Sequence, residues 1–194
     1  MIIVAGGDSL VWGSELSDYK HCGLHGYSQS TYSALLSKNY EYYCAAYPGF
    51  GNQQILHSTK NCIDSLKNQK LGVIVSWSWP IRDNKIDSDQ EILEMQNFLN
   101  KNRIPYLFTC ADNCVITNNK DIDYSKWFLF PSKPYSGFYE NDNPRGFFQW
   151  AVEYKYNLAP KDRHPLEDAH RDAASLMKGK FYELVEKNLL SYTS

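Results

Sequence analysis

The chain has 194 residues, a length that suits one α/β domain able to bury a sheet beneath helices on both faces. Its 20 Lys+Arg face 22 Asp+Glu, giving a formal charge of −2, and no basic block would neutralise several phosphates at once, so nucleic acid is excluded as an expected partner. No apolar run approaches the ~20 residues of a bilayer span, and the N-terminus shows neither the basic region nor the cleavage site of a secretory signal, so no membrane association is expected and the cytoplasm is the default location.

In chain order, Ile2, Ile3, Val4 and Ala5 form an apolar run too short for a helix and read as a strand buried on both faces. Gly6-Gly7-Asp8-Ser9 then turns the chain at the strand's carboxyl end, where open α/β sheets bind ligands. Ser9 has two readings there: a helix N-cap, or a residue presented at a crevice. Residues 14–26 are polar and irregular, include Tyr19, His21 and His25, and are expected to rim that crevice. A first helix follows over 27–37, with Tyr32, Leu35 and Leu36 on one face, and a second strand over 40–46.

Tyr47-Pro48-Gly49-Phe50-Gly51-Asn52 breaks that strand, and Ile55, Thr59, Cys62, Ile63 and Leu66 recur at helical spacing after it. Gly49 and Gly51 either only permit positive φ in a tight turn or also aim backbone N–H groups at a developing oxyanion. Residues 71–77 form a third buried strand, and Ser78-Trp79-Pro80-Ile81-Arg82 leaves the sheet at the same edge as Ser9 and Gly49. A helical stripe over 89–100 and a strand over 104–110 complete a β-α-β-α-β-α-β pattern. That pattern predicts a three-layer α/β/α fold with a central sheet of four or five parallel strands in flavodoxin-like order.

Residues 111–160 are poor in periodicity and rich in aromatics, an insert within one domain spanning 1–194 and a candidate lid or substrate wall. Within it, Trp127 to Phe130 reads as a short strand or an apolar plug, and 147–156 as a helix with Phe148, Ala151, Val152 and Tyr156 on one side. Pro165 opens a terminal helix whose stripe is Ala169, Ala173, Leu176, Met177, Phe181, Leu184 and Val185. The five cysteines, Cys22, Cys44, Cys62, Cys110 and Cys114, lack zinc-site spacing and read as reduced, mostly buried thiols.

A serine nucleophile needs a base, usually His, and the base needs a carboxylate to fix its tautomer. Asp162 and His164 supply such a pair: residues two apart in an extended loop face one side, and Pro165 holds His164 extended. His170 falls inside the terminal helix, on its flank, and is expected to serve stability.

Gly7-Asp8-Ser9-Leu10 after an initial strand, Gly49 in the second turn, and Asp162, His164 and Pro165 near the end together resemble the GDSL, or SGNH, hydrolase family. The resemblance implies that Ser9 is the nucleophile of a catalytic triad with His164 and Asp162. In this family a Gly-x-Asn-Asp block after the third strand supplies an oxyanion asparagine, whereas here Trp77-Ser78-Trp79-Pro80-Ile81-Arg82 stands in its place. The donors left are the N–H groups of Ser9 and Gly49, with Ser78 or Asn52 as side-chain substitutes, and a lost donor costs ~10²–10³ in rate. The last block reads Asp-x-His where the family has Asp-x-x-His, which leaves two possibilities: a more extended loop, or compromised activity.

The Trp-Ser-x-Pro-x-Arg pattern looks like a branch of the family found among bacteriophage and bacterial proteins, which adds a virion-associated location as an expectation. Asp8, Trp12, Trp79 and Arg82 are the expected substrate-binding residues, with Arg82 holding a carboxylate on Asp8 or on an acidic sugar. The activity implied is a serine esterase removing acetyl or another short acyl group from a small-molecule or glycan ester, without cofactor or metal. The alternatives are a non-catalytic carbohydrate-binding or virion structural protein on the same fold, and an acyltransferase using the same residues.

Overall fold

The computed structural model describes residues 1–18, 26–132 and 144–188. Among these, β1 (Ile2–Gly6), β2 (Glu41–Cys44), β3 (Leu71–Trp77) and β4 (Tyr106–Cys110) form one parallel sheet in the order β2-β1-β3-β4. The helices are α1 (Ser9–Trp12), α2 (Tyr32–Leu36), α3 (Asn52–Ser65), α4 (Asp89–Lys101), α5 (Phe147–Glu153) and α6 (Glu167–Phe181). Every residue of β1, β3 and β4 is buried, whereas β2 alternates exposed and half-buried positions as an edge strand does.

Because successive strand residues point to opposite faces, the sheet divides the interior into two cores. Ile3, Ala5, Ile74 and Leu107 pack under α1, α2, α5 and α6. Val4, Val73, Val75, Trp77 and Phe108 pack under α3 and α4 together with Val115, Ile122 and Trp127. This is the three-layer α/β/α arrangement that the alternation of elements predicts. The register sets Gly6 beside Val75, so β3 runs past the end of β1 and delivers Ser78 alongside the Gly6–Ser9 turn.

The departures from expectation have local causes. The first helix begins only at Tyr32, where the Thr31 hydroxyl caps it by accepting from Ala34 N at 3.3 Å. The inward face of α5 is Phe147, Trp150 and Ala151, while Val152 is exposed, so the stripe is rotated from the one predicted and the helix ends at Glu153. Pro165 precedes α6 rather than opening it: a bridge from Leu158 to Pro165, and Leu166 N on Asn157 O at 3.1 Å, keep that stretch extended. Leu176 faces solvent, and the rest of the terminal stripe is buried. Trp127 to Phe130 is the apolar plug and not a strand: Trp127 and Phe130 are buried, and isolated bridges from Trp127 to Phe108 and from Phe130 to Arg145 tie it down, with Phe128 N on Phe108 O at 2.8 Å.

Cys44, Cys62, Cys110 and Cys114 are free thiols, of which Cys110 is buried, Cys44 and Cys62 half-buried and Cys114 exposed. Tyr19, His21, Cys22 and His25 lie outside the described residues. No helix among the described residues is long and apolar enough to cross a membrane.

Candidate active site

The turn after β1 is tight because glycine permits it: a Cβ on Gly7 would fall 2.4 Å from Val11 Cγ2, inside the helix the turn begins. Asp8 is the N-cap of α1, its Oδ1 accepting from Leu10 N at 3.0 Å. The capping role is thus filled by Asp8, and Ser9, the first residue of α1, directs its hydroxyl elsewhere.

That hydroxyl lies 2.9 Å from His164 Nε2, and His164 Nδ1 lies 2.8 Å from Glu15 Oε2. A carboxylate only accepts, so Nδ1 carries the proton, Nε2 keeps its lone pair, and Ser9 donates to it. Burial would raise the Glu15 carboxyl, but hydrogen bonds from His164 and from Asp162 N, with the electrostatic attraction of the His164 ring, outweigh it and hold Glu15 below the ordinary carboxylate range. Glu15 remains the anion that this tautomer requires.

The acid beside His164 is therefore Glu15 and not Asp162. Asp162 contributes its backbone, with N–H contacts of 3.3 and 3.4 Å to the two Glu15 oxygens, while its side chain is 53% exposed and makes no hydrogen bond to His164. The expectation fails because the loop is not extended. Arg163 takes a left-handed backbone (φ 58°), its N–H bonds Ala159 O at 3.1 Å, and Ala159 N bonds His164 O at 2.8 Å, so the chain kinks between Asp162 and His164. Glu15 is also left-handed (φ 68°), and two non-glycine residues in that sparsely populated region flank the His164 ring. The loop bearing Glu15 is pinned to α6, where Glu167 Oε1 accepts from Ser17 N at 2.6 Å. Glu15 lies within 14–26, the stretch expected at the crevice rim, but no motif marks it; the available signal is an acid two residues after Gly13, the glycine that ends α1.

A second network lies beneath the turn that carries Ser9. Asp8, 1% exposed, accepts from Ser78 Oγ at 2.8 Å and from Arg82 Nη1 at 3.0 Å on Oδ2. The same Arg82 nitrogen donates to Phe50 O at 3.1 Å, and its guanidinium lies 5.0 Å from the Trp79 ring centroid. Asn52, fully buried, accepts from Ser78 N at 2.7 Å and donates to Ser78 O at 2.8 Å and Ser88 Oγ at 2.5 Å. Both side chains named as oxyanion substitutes are therefore committed: Ser78 donates its proton to Asp8, and Asn52 spends both amide donors inside the fold.

The Ser9 and Gly49 N–H groups have no hydrogen-bond partner among the described residues. Gly49 (φ 85°) occupies the third position of a Tyr47–Phe50 turn, with Pro48 second and Phe50 N on Tyr47 O at 3.2 Å, the pattern of a type II turn. Tyr47 N bonds Gly7 O at 3.3 Å, which brings this turn beside the one carrying Ser9. Aromatic rings stand on either side. Trp12 meets Tyr47 edge-on at 5.1 Å, Tyr47 meets Phe50 at 5.5 Å, and Trp79 meets Phe148 of the insert at 5.8 Å.

His170 is elsewhere. It is 1% exposed, accepts from Tyr32 N at 3.2 Å through Nδ1, and packs against the Tyr32 and Phe147 rings. Burial pushes its pKa down to about 3, leaving it neutral. Glu15, Asp162 and His164 place donor atoms within 4.8 Å of one another, a set that would suit a small cation only at the expense of the Glu15–His164 bond.

No protein-family model and no curated protein matches the sequence. Among solved structures, the chain resembles a G-D-S-L family protein from Desulfitobacterium hafniense DCB-2 (TM-score 0.53, 14% identity, 92% of this chain and 98% of that one). It resembles a two-domain esterase active on acetylated mannans (TM-score 0.57, 13% identity, 98% of this chain and 50% of that one). It also resembles the acetyl xylan esterase AlAXEase (TM-score 0.51, 14% identity, 92% and 98%). The fold is that of the GDSL, or SGNH, hydrolases.

Proposed function

We propose that the chain is a serine esterase in which Ser9 is the nucleophile, His164 the general base and Glu15 the carboxylate that orients it. The observation that carries this reading is the unbroken relay from Ser9 Oγ through His164 Nε2 and Nδ1 to Glu15 Oε2, at 2.9 and 2.8 Å. Ser9 attacks the ester carbonyl carbon as His164 Nε2 takes its proton, and Glu15 stabilises the imidazolium that results. The tetrahedral oxyanion is met by the Ser9 and Gly49 N–H groups, the donors left without partners. His164 then returns the proton to the departing alkoxide, and water activated at the same nitrogen hydrolyses the acyl-Ser9 ester.

The acyl group is read as short and its carrier as a carbohydrate. Trp12, Tyr47 and Phe50 on one side and Trp79 with Phe148 on the other offer ring faces and edges suited to sugars. Esterases named for acetylated mannan and acetyl xylan share the fold, which supports the same direction. A second reading, a carbohydrate-binding protein without turnover, is favoured by the commitment of Asn52 and Ser78, which leaves the oxyanion only backbone donors.

A fluorophosphonate probe and p-nitrophenyl acetate separate the two. The esterase reading expects covalent labelling at Ser9 and turnover, both lost in Ser9→Ala. Turnover that survives in Ser9→Ala refutes Ser9 as nucleophile, and absence of both labelling and turnover in the wild-type protein favours the binding protein.

A further inference from the structure

We infer that Arg82 is a positioning residue, a clamp that fixes the spacing of the two backbone oxyanion donors by tying Asp8 to Phe50; this rests on the esterase reading above. The two donors, Ser9 N–H and Gly49 N–H, belong to different loops. Arg82 Nη1 binds the chain neighbour of each, Asp8 Oδ2 at 3.0 Å and Phe50 O at 3.1 Å.

The turn at Gly49 is packed at its ends, where Tyr47 meets Trp12 and Phe50 lies against the core under α3, and open at its tip. Nothing lies within 4 Å of where a Gly49 Cβ would be, so its tip is unpacked, and it depends on hydrogen bonds at its flanks. Those bonds are Tyr47 N to Gly7 O at 3.3 Å, Phe50 N to Tyr47 O at 3.2 Å, and the Arg82 contact to Phe50 O. Of the three, the Arg82 contact alone involves a charged donor, which makes it the strongest by type.

The base of the clamp is itself rigid. Arg82 sits in a 3₁₀ turn over Pro80–Asp83, with Arg82 N on Trp79 O at 3.1 Å. Before that turn, Asn52 grips both backbone groups of Ser78. After it, Asp83 Oδ2 accepts from Gln53 N at 3.1 Å in the first turn of α3, whose N-cap Gly51 has no side chain to do so. The guanidinium is further steadied against the Trp79 ring. Its charge is matched by the buried Asp8 carboxylate, which leaves it suited to fixing loops rather than to recruiting an acidic substrate.

The test compares wild-type protein with Arg82→Ala by amide hydrogen exchange over residues 46–51 and by p-nitrophenyl acetate kinetics, with and without guanidinium at concentrations far below denaturing ones. The expected result is faster exchange in that segment and a kcat lowered by about 10²-fold, the cost of losing an aligned oxyanion donor, with KM little changed. Added guanidinium should restore part of the lost kcat. Should Arg82→Ala fail to fold, Arg82→Gln, which still offers Asp8 a donor, carries the same comparison. Unchanged kcat in a folded variant overturns the positioning role even where exchange quickens, and unchanged exchange overturns the clamp. A wild-type protein that neither turns over ester nor reacts at Ser9 refutes the esterase instead, and with it the catalytic consequence, while exchange still decides whether Arg82 orders the turn.

Discussion

His170 gives a prediction whose size follows from its surroundings. The folded protein keeps it neutral, with a pKa near 3 because burial disfavours the cation, whereas in the unfolded chain it titrates near the ordinary value of 6.5. Below the unfolded value the unfolded chain binds a proton that the folded one refuses, so stability falls as pH falls, in a window from about 6.5 down to about 3. Between pH 7 and pH 5 this linkage removes about 2 kcal/mol, equivalent to about 4–8 °C in Tm for a domain of this size. The lowered carboxyls of Glu15 and Glu167 contribute only below their ordinary range, so the upper half of the window belongs to histidine.

The perturbation is His170→Asn, whose side-chain oxygen can still accept from Tyr32 N. The variant starts less stable, since it gives up ring contacts with Tyr32 and Phe147. It should nevertheless lose about 2 kcal/mol less than the wild type on going from pH 7 to pH 5, a difference in which the other histidines cancel. Urea titrations at the two pH values measure it. Parallel losses in both proteins would show that His170 is not held neutral, and would reopen the question of which histidine serves Ser9.

Three further outcomes bear on the site. Glu15→Gln should lower kcat/KM for an activated ester severely, toward the ~10⁴ that a lost triad carboxylate costs, whereas Asp162→Asn, which keeps the backbone N–H to Glu15, should leave the rate near that of the parent; the reverse ranking would restore Asp162 as the acid. Asn52→Leu should cost about 3 kcal/mol in chemical denaturation, because it strands the buried N–H and C=O of Ser78. Arg163→Val should destabilise by about 1–2 kcal/mol and slow turnover, since a β-branched residue resists the left-handed backbone there; Arg163→Gly, which accepts that backbone, should do neither in thermal melts and ester assays.

The contrast between what the sequence disclosed and what it concealed has one physical root. The sheet was legible because its evidence is local and redundant: Ile2 to Ala5, Leu71 to Trp77 and Tyr106 to Cys110 are short apolar runs, and the helices between them carry their stripe in every turn. Ser9 and His164 were legible because a glycine turn after a buried strand, and a proline after a histidine, each fix where a side chain begins. The partner of His164 was not, because it depends on two residues whose backbone no propensity favours. Glu15 and Arg163 both sit in the left-handed region without being glycine, and such a conformation survives only where the surroundings over-determine it.

Here the surroundings are the contacts between the two loops themselves: His164 Nδ1 and Asp162 N on Glu15, and Ser17 N on Glu167. The loop bearing His164 supplies the bonds that hold the Glu15 carboxylate, while its own left-handed turn at Arg163 is closed by Arg163 N on Ala159 O and Ala159 N on His164 O. Residue propensities in either segment disfavour both conformations, so neither can be read from sequence. The same logic explains the oxyanion side. Asn52 and Ser78 carry the right groups at the right edge of the sheet, and only the folded arrangement shows those groups already paired, the Asn52 amide with Ser78 O and Ser88 Oγ and the Ser78 hydroxyl with Asp8.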